Sequence, residues 1–241
     1  MKGTYGELKM TVDERTFELI NKNTLLEAQI RERKQIQELL DERLRFETIL
    51  SNLSAAVISV SAGGLEREID SAIGTLIAYL EADWGSLILF DNHSPMEPVI
   101  ISSAVCGKPL PSDIVGAKYP WFREKINRGE AIILGKIPDD LVPEAGNERD
   151  FLLHEGYKSI LIIPFRAGIG NWGLIAFGSI QAERKWSIEL VRRLKLAGEI
   201  LANANVRKQA EETLRMSESQ KEMILNASVD RIRYVDKDMR I

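Results

Sequence analysis

The chain has 241 residues, with 32 Lys and Arg against 36 Asp and Glu, a formal net charge of −4, and 44% hydrophobic residues. That length gives one or two domains at roughly 150 residues each, the charge balance lacks the basic surplus of a nucleic-acid binder, and the apolar fraction excludes a disordered chain. The single cysteine, Cys106, excludes an internal disulfide and a multi-cysteine metal site, and no apolar run approaches the roughly 20 residues of a membrane helix.

The start, Met1-Lys2-Gly3-Thr4, lacks the apolar core of a signal peptide, so a cytoplasmic, reducing location is expected. Residues 1–12 are expected to be disordered or flexible. Residues 13–60 hold no Gly and no Pro and are rich in helix formers, which predicts a coiled-coil helix over 13–62. From Leu39 the apolar positions step by four and three through Arg43, Phe46, Leu50, Leu53, Val57 and Val60, and Arg43 alone is polar. Such a heptad seam needs a partner helix. A parallel homodimer through Leu39, Phe46, Leu50, Leu53, Val57 and Val60 is expected, with an intramolecular helical hairpin as the alternative. Upstream, Leu19, Asn23, Leu26, Ile30, Arg33, Gln37, Leu40 and Leu44 form a looser stripe offset by one residue, and joining the two frames needs the spacing of a stammer.

Gly63-Gly64 interrupts this helix, and Leu65, Ile69, Ile73, Leu76 and Leu80 mark one face of a second helix that stops near Asp83-Trp84-Gly85. Strands are predicted at 86–90, 99–105 and 131–134, with a hairpin at 159–165 and 172–180. Helices are predicted at 120–128, with Pro at its start and Gly129 at its end, and at 143–155, closed by Gly156. From Trp186 the chain is helical again. Residues 229–235 read as a strand and Asp236-Lys237-Asp238 as a turn, so a further domain is expected to have been cut off at the end of the chain.

Tyr157-Lys158-Ser159-Ile160-Leu161-Ile162-Ile163-Pro164-Phe165 resembles the central strand of GAF domains, and Trp172-Gly173-Leu174-Ile175-Ala176-Phe177-Gly178 resembles the strand that follows it there. Arg184 to Ala204 resembles the GAF exit helix, and the Ala82-Asp83-Trp84-Gly85-Ser86 junction fits the entry. The resemblance covers 65–206. It implies an α+β fold: a GAF/PAS-like antiparallel sheet of about five to six strands with flanking helices, plus long N- and C-terminal coiled-coil helices. Residues 207–227 are then a linker helix. Ile224-Leu225-Asn226-Ala227-Ser228-Val229-Asp230-Arg231-Ile232 resembles the opening of a PAS domain, placing a truncated PAS start at 228–241. This layout resembles the sensory half of a bacterial sensor histidine kinase, and diguanylate cyclases share it. Downstream PAS and output domains of a parent chain are the implied partners besides a second copy of this chain. No nucleic acid and no membrane are implied for this piece.

No catalytic set emerges from the residues. Gly168-Ile169-Gly170-Asn171-Trp172-Gly173 is a literal G-x-G-x-x-G, but a strand follows it where a dinucleotide site needs a helix. Its glycines instead suit a hairpin loop. Bilin-binding GAF domains usually carry a His beside their Cys, and Gly107 stands there. GAF-fold methionine sulfoxide reductases resolve a sulfenic acid with a second thiol, which this chain lacks. His93 and His154 lie in different elements and read as surface histidines rather than metal ligands. Asp139-Asp140 and Glu148-Arg149-Asp150 sit in a loop and a helix start, where acids favour the helix dipole. In the GAF fold the short helix at Tyr119-Pro120-Trp121-Phe122 lies over the sheet. Trp121 and Phe122 are therefore expected to cap a ligand pocket, with Phe90, Ser103, Ile163 and Phe177 lining the sheet beneath. The alternative is that these side chains fill the space completely. No cofactor is evident, and an unknown small-molecule ligand is expected if the pocket exists. The function expected is a sensory and dimerisation module, with a ligand-free scaffold as the other reading.

Overall fold

The computed structural model describes residues 2–59, 64–91, 94–104, 110–168 and 171–236. The chain divides into two compact units, Met1–Leu50 and Ser51–Ile241. The first lies in helix α1, Lys2–Ser59. Residues 2–12, expected to be flexible, are helical. Extending a helix already nucleated downstream adds one hydrogen bond per residue fixed, which offsets the two glycines in that stretch.

The second unit begins with the last residues of α1 and continues through α2, Leu65–Leu80. Five antiparallel strands follow: β1 Trp84–Asp91, β2 Ser94–Ala104, β3 Ile132–Leu134, β4 Ser159–Ala167 and β5 Asn171–Ser179. Their spatial order is β2-β1-β5-β4-β3. Four long strands carry the sheet, against the about five to six expected, and β3 adds only three residues at one edge. Helices α3, Pro120–Asn127, and α4, Gly146–His154, stand between β2 and β4. Each ends before a glycine with positive φ, Gly129 at 72° and Gly156 at 77°, where a Cβ would be strained. Helix α5 runs from Ile188 to Asp236.

That last span corrects the strand expected at 229–235. Val229, Ile232 and Val235 recur every third residue, a helical spacing, and no Gly or Pro after Glu199 stops α5 from propagating. Residues 237–241, expected to form the turn and the next strand, lie outside the described residues.

Helices cover both faces of the sheet, so β4 is buried along almost its whole length rather than alternating. Against one face lie α2 and α5. A Cβ built on Gly85 would meet Phe177 and Ile73, and one on Gly198 of α5 would meet Phe165 and Ile175, so those side chains point that way. The other face carries Trp84, Ile88, Phe90, Ile160, Ile162, Leu174 and Ala176, packed in one cluster with Tyr119, Phe122 and Ile126 of the α3 region and Leu152 of α4. Close packing also explains Gly178: a Cβ there would sit 2.5 Å from Cζ2 of the buried Trp84 ring.

Among the described residues, no helix is long and apolar enough to cross a membrane.

Candidate ligand-binding face of the sheet

Helix α3 reaches the sheet because Pro120 fits its first turn and Phe122 and Ile126, four residues apart, share its inner face. Its N-terminal amides are capped from a distance. Glu148, on α4, is fully buried, and its Oε1 accepts from the backbone N–H of Trp121 at 2.8 Å and of Phe122 at 3.2 Å. A carboxylate is well placed there, since the helix dipole favours negative charge at that end. Its other oxygen, Oε2, has no hydrogen-bond partner. Glu148 thus pins α4 to α3 at the cost of half a buried carboxylate left unsatisfied. Glu148→Gln keeps the accepting oxygen and removes the charge, so its thermal midpoint is expected to fall by less than that of Glu148→Ala, which loses a cap worth about 1–2 kcal/mol and opens a void. Equal melting of the two variants would contradict this role.

Beneath α3 the sheet face is filled. Phe122 is 0% exposed and Phe90 is 3% exposed. The Phe90 ring stacks on Trp172, its direct cross-strand neighbour, with centroids 4.0 Å apart and planes 10° from parallel. Tyr119 packs on Phe151, and Phe151 on Tyr157, which meets Trp84 edge-on at 5.7 Å. Burial pushes the Tyr157 phenol well above its ordinary range, and nearby Glu155 adds to the shift.

The six residues expected to shape a pocket are divided by the sheet. Phe90, Trp121 and Phe122 lie on the α3 side, where Phe122 and Phe90 are core and Trp121 is half-buried against them. Ile163 and Phe177 are corrected to the opposite face, under α2 and α5. Strand side chains alternate, so a one-residue difference in parity exchanges the faces. Ile162 and Ala176 occupy the α3 side instead. Ser103 pairs with Gly85 across β1 and β2, and its side chain lies outside the described residues. So do His93 and Cys106.

An open cleft of about 860 Å³ remains beside this core, lined by Asp113, Lys118, Asn147, Asp150, His154 and Glu155 among others. Among the described residues no group of His, Cys, Asp and Glu is placed to hold a metal. The other acids serve the backbone. Asp140 Oδ2 accepts from the N–H groups of Gly135 and Lys136 at 2.7 and 2.8 Å, and Asp139 pairs with Lys136 at 2.8 Å.

Two further sets of contacts were not legible in the sequence. Asp83, 5% exposed, receives hydrogen bonds from Ser179 Oγ and the Ile180 N–H, both at 2.7 Å, from the Gln181 N–H at 3.0 Å and from Gln181 Nε2 at 2.8 Å. It ties the start of β1 to the chain leaving β5. At the end of α1, Arg207 of α5 donates to the Val57 carbonyl at 2.9 Å, and Lys208 lies 3.5 Å from Glu66 at the start of α2. The entry and exit helices of the second unit are therefore joined directly.

No protein-family model and no curated protein matches this sequence. Solved structures do. The phycocyanobilin-bound GAF domain of a cyanobacterial phytochrome superposes with a TM-score of 0.53 at 19% identity, covering 69% of this chain and 96% of that one. The GAF domain of a phosphoenolpyruvate-protein phosphotransferase from Coxiella burnetii gives 0.52 at 21% identity, covering 70% and 98%. A free methionine-R-sulfoxide reductase from Neisseria meningitidis, in complex with its substrate, gives 0.50 at 13% identity, covering 69% and 91%. At these identities the likeness is one of fold. The chain has the fold of a GAF domain, as the strand and exit-helix residues implied.

Proposed function

We propose that this chain is the sensory and dimerisation module of a bacterial signal-transduction protein, a cytoplasmic GAF–PAS sensor histidine kinase. The observation that carries the reading is the stripe on α1. On the upstream frame Leu19, Leu26, Ile30, Leu40 and Leu44 are apolar, with Asn23, Arg33 and Gln37 at the seam positions between them, and all five are exposed in the single chain, Leu26 at 53% and Ile30 at 63%. Exposed Leu and Ile side chains recurring on one helix face suit packing against another helix. A second copy of this chain supplies the same row in register.

The two heptad frames then have separate tasks. In the downstream frame Leu53 and Val57 are already buried within the second unit. The seam drawn through Leu39 to Val60 is therefore only partly free for a second copy, and the upstream stripe carries the dimer. A change in the GAF fold reaches the helices through Arg207 and Lys208. A ligand shifts such an equilibrium only by its differential affinity for the two states.

The kinase rests on the layout of helix, GAF fold and helix, since residues 229–236 do not form the strand that a PAS opening called for. A diguanylate cyclase shares that layout. A ligand-free scaffold is the second reading, favoured by the filled face under α3. Bilin binding is a property of the phytochrome domain, and the filled face does not favour it here.

Leu26→Asp with Leu40→Asp tests the dimer. Both side chains are exposed, so the GAF fold is expected to melt unchanged while association at micromolar concentration weakens by about a hundredfold or more, as two buried charges cost several kcal/mol. Unchanged association would overturn the reading.

A further inference from the structure

The filled face under α3 moves the search for a ligand elsewhere, to the edge of the sheet. β3 pairs only with Ile160 to Ile162 of β4. From Ile163 to Ala167, β4 has a ladder neighbour on one side alone, β5. A notch of about 640 Å³ opens along that stretch, between the end of α3 and helix α5. That is within the roughly 300–1,000 Å³ of small-molecule sites.

Its lining is basic in a chain whose net charge is −4. Arg128, Arg166 and Lys195 face it, with Glu199 as the one acid among the lining residues. Arg128 is held by Glu124 at 2.5 Å. Arg166 and Lys195 make no ion pair and no side-chain hydrogen bond among the described residues. Two exposed cations from different elements, Arg166 at the sheet edge on the α3 side and Lys195 on α5, thus line one recess in which Glu199 is the one acid. An anion lying between two such cations would be attracted by both. The wall also carries Trp172, which sits directly opposite Arg166 in the β4–β5 ladder and is held flat by the Phe90 ring.

We propose that this notch is a binding site for a small aromatic oxyanion. Its phosphoryl or carboxylate group lies between Arg166 and Lys195, and its ring lies against Trp172. Arg166 supplies the planar fork of donors that suits either oxyanion, and Lys195 a compact point charge. The ligand would bridge the sheet edge to α5, the helix that leaves the fold. Binding itself does not depend on the sensory reading; only its transmission along α5 does.

The test is titration calorimetry on the full chain with two anions, adenosine 5′-monophosphate and 1-naphthoate, and their neutral counterparts, adenosine and 1-naphthalenemethanol. The first pair probes a phosphoryl source and the second a carboxylate source. At least one anion is expected to bind, its neutral counterpart about tenfold or more weaker. Arg166→Gln with Lys195→Gln should weaken the anion about tenfold or more, while Arg166→Lys with Lys195→Arg, which keeps both charges but displaces the planar fork, should weaken it less. Melting curves confirm that both variants fold. No heat from either anion up to about 10 mM would overturn the proposal. So would equal binding of the neutral counterparts, or wild-type affinity in the folded Gln variant. Mass in solution is read separately, so loss of the dimer and loss of the site are distinguishable.

Discussion

Asp83→Ala is expected to lower the stability of the GAF fold by about 4 kcal/mol, since a charged acceptor and its buried donors are lost together. The carboxylate sits at the junction where the chain enters β1, and it accepts four hydrogen bonds from residues 179–181 at the exit of β5. Removing it leaves the buried Ser179 hydroxyl and two backbone N–H groups short of a partner. For a domain of this size, that corresponds to a melting point about 10 °C lower. Asp83→Asn keeps one accepting oxygen and should lose less. A fall of under about 2 °C for Asp83→Ala would show that water or a local shift replaces the carboxylate.

Phe122→Ala is expected to cost about 4 kcal/mol, the usual range for a large aromatic removed from a core. Phe122 is 0% exposed and belongs to the same cluster as Trp84, Ile88 and Ile162. The size of the effect separates two accounts of α3. A lid over an empty pocket would lose little on truncation, because its ring would not be packed on all sides. A filled core loses both transfer free energy and packing contacts. Chemical denaturation of the variant decides between them, and a cost under about 1 kcal/mol would restore the pocket.

Much of this fold was legible because it rests on local periodicity and turn chemistry. Pro120 and Gly129 bracket α3, Gly156 closes α4, and Gly168, at φ 58°, follows the end of β4. The pocket was less legible, because its residues depend on parity. Ile162 and Ile163 differ by one position in an apolar run, and composition does not say which faces α3. The pairing does: Ile162 lies opposite Ala176, and Ile163 opposite Ile175. Glu148 was read as a dipole partner of its own helix, whereas it caps a different one 26 and 27 residues away. The only signal in the sequence was its place four residues before Leu152, on the buried side of α4. The segment 229–235, expected as a strand, is helix because Val229, Ile232 and Val235 recur at a three-residue spacing that suits one helix face. The offset between the two heptad frames of α1 was visible, but its meaning was not.

Sedimentation equilibrium of the full chain across the micromolar range tests the central claim most directly. The account predicts twice the chain mass of 27.2 kDa, shifting to the single mass when Leu26 and Leu40 are both replaced by Asp. A single mass for the wild-type chain up to about 100 μM would contradict it and leave the exposed stripe without its partner.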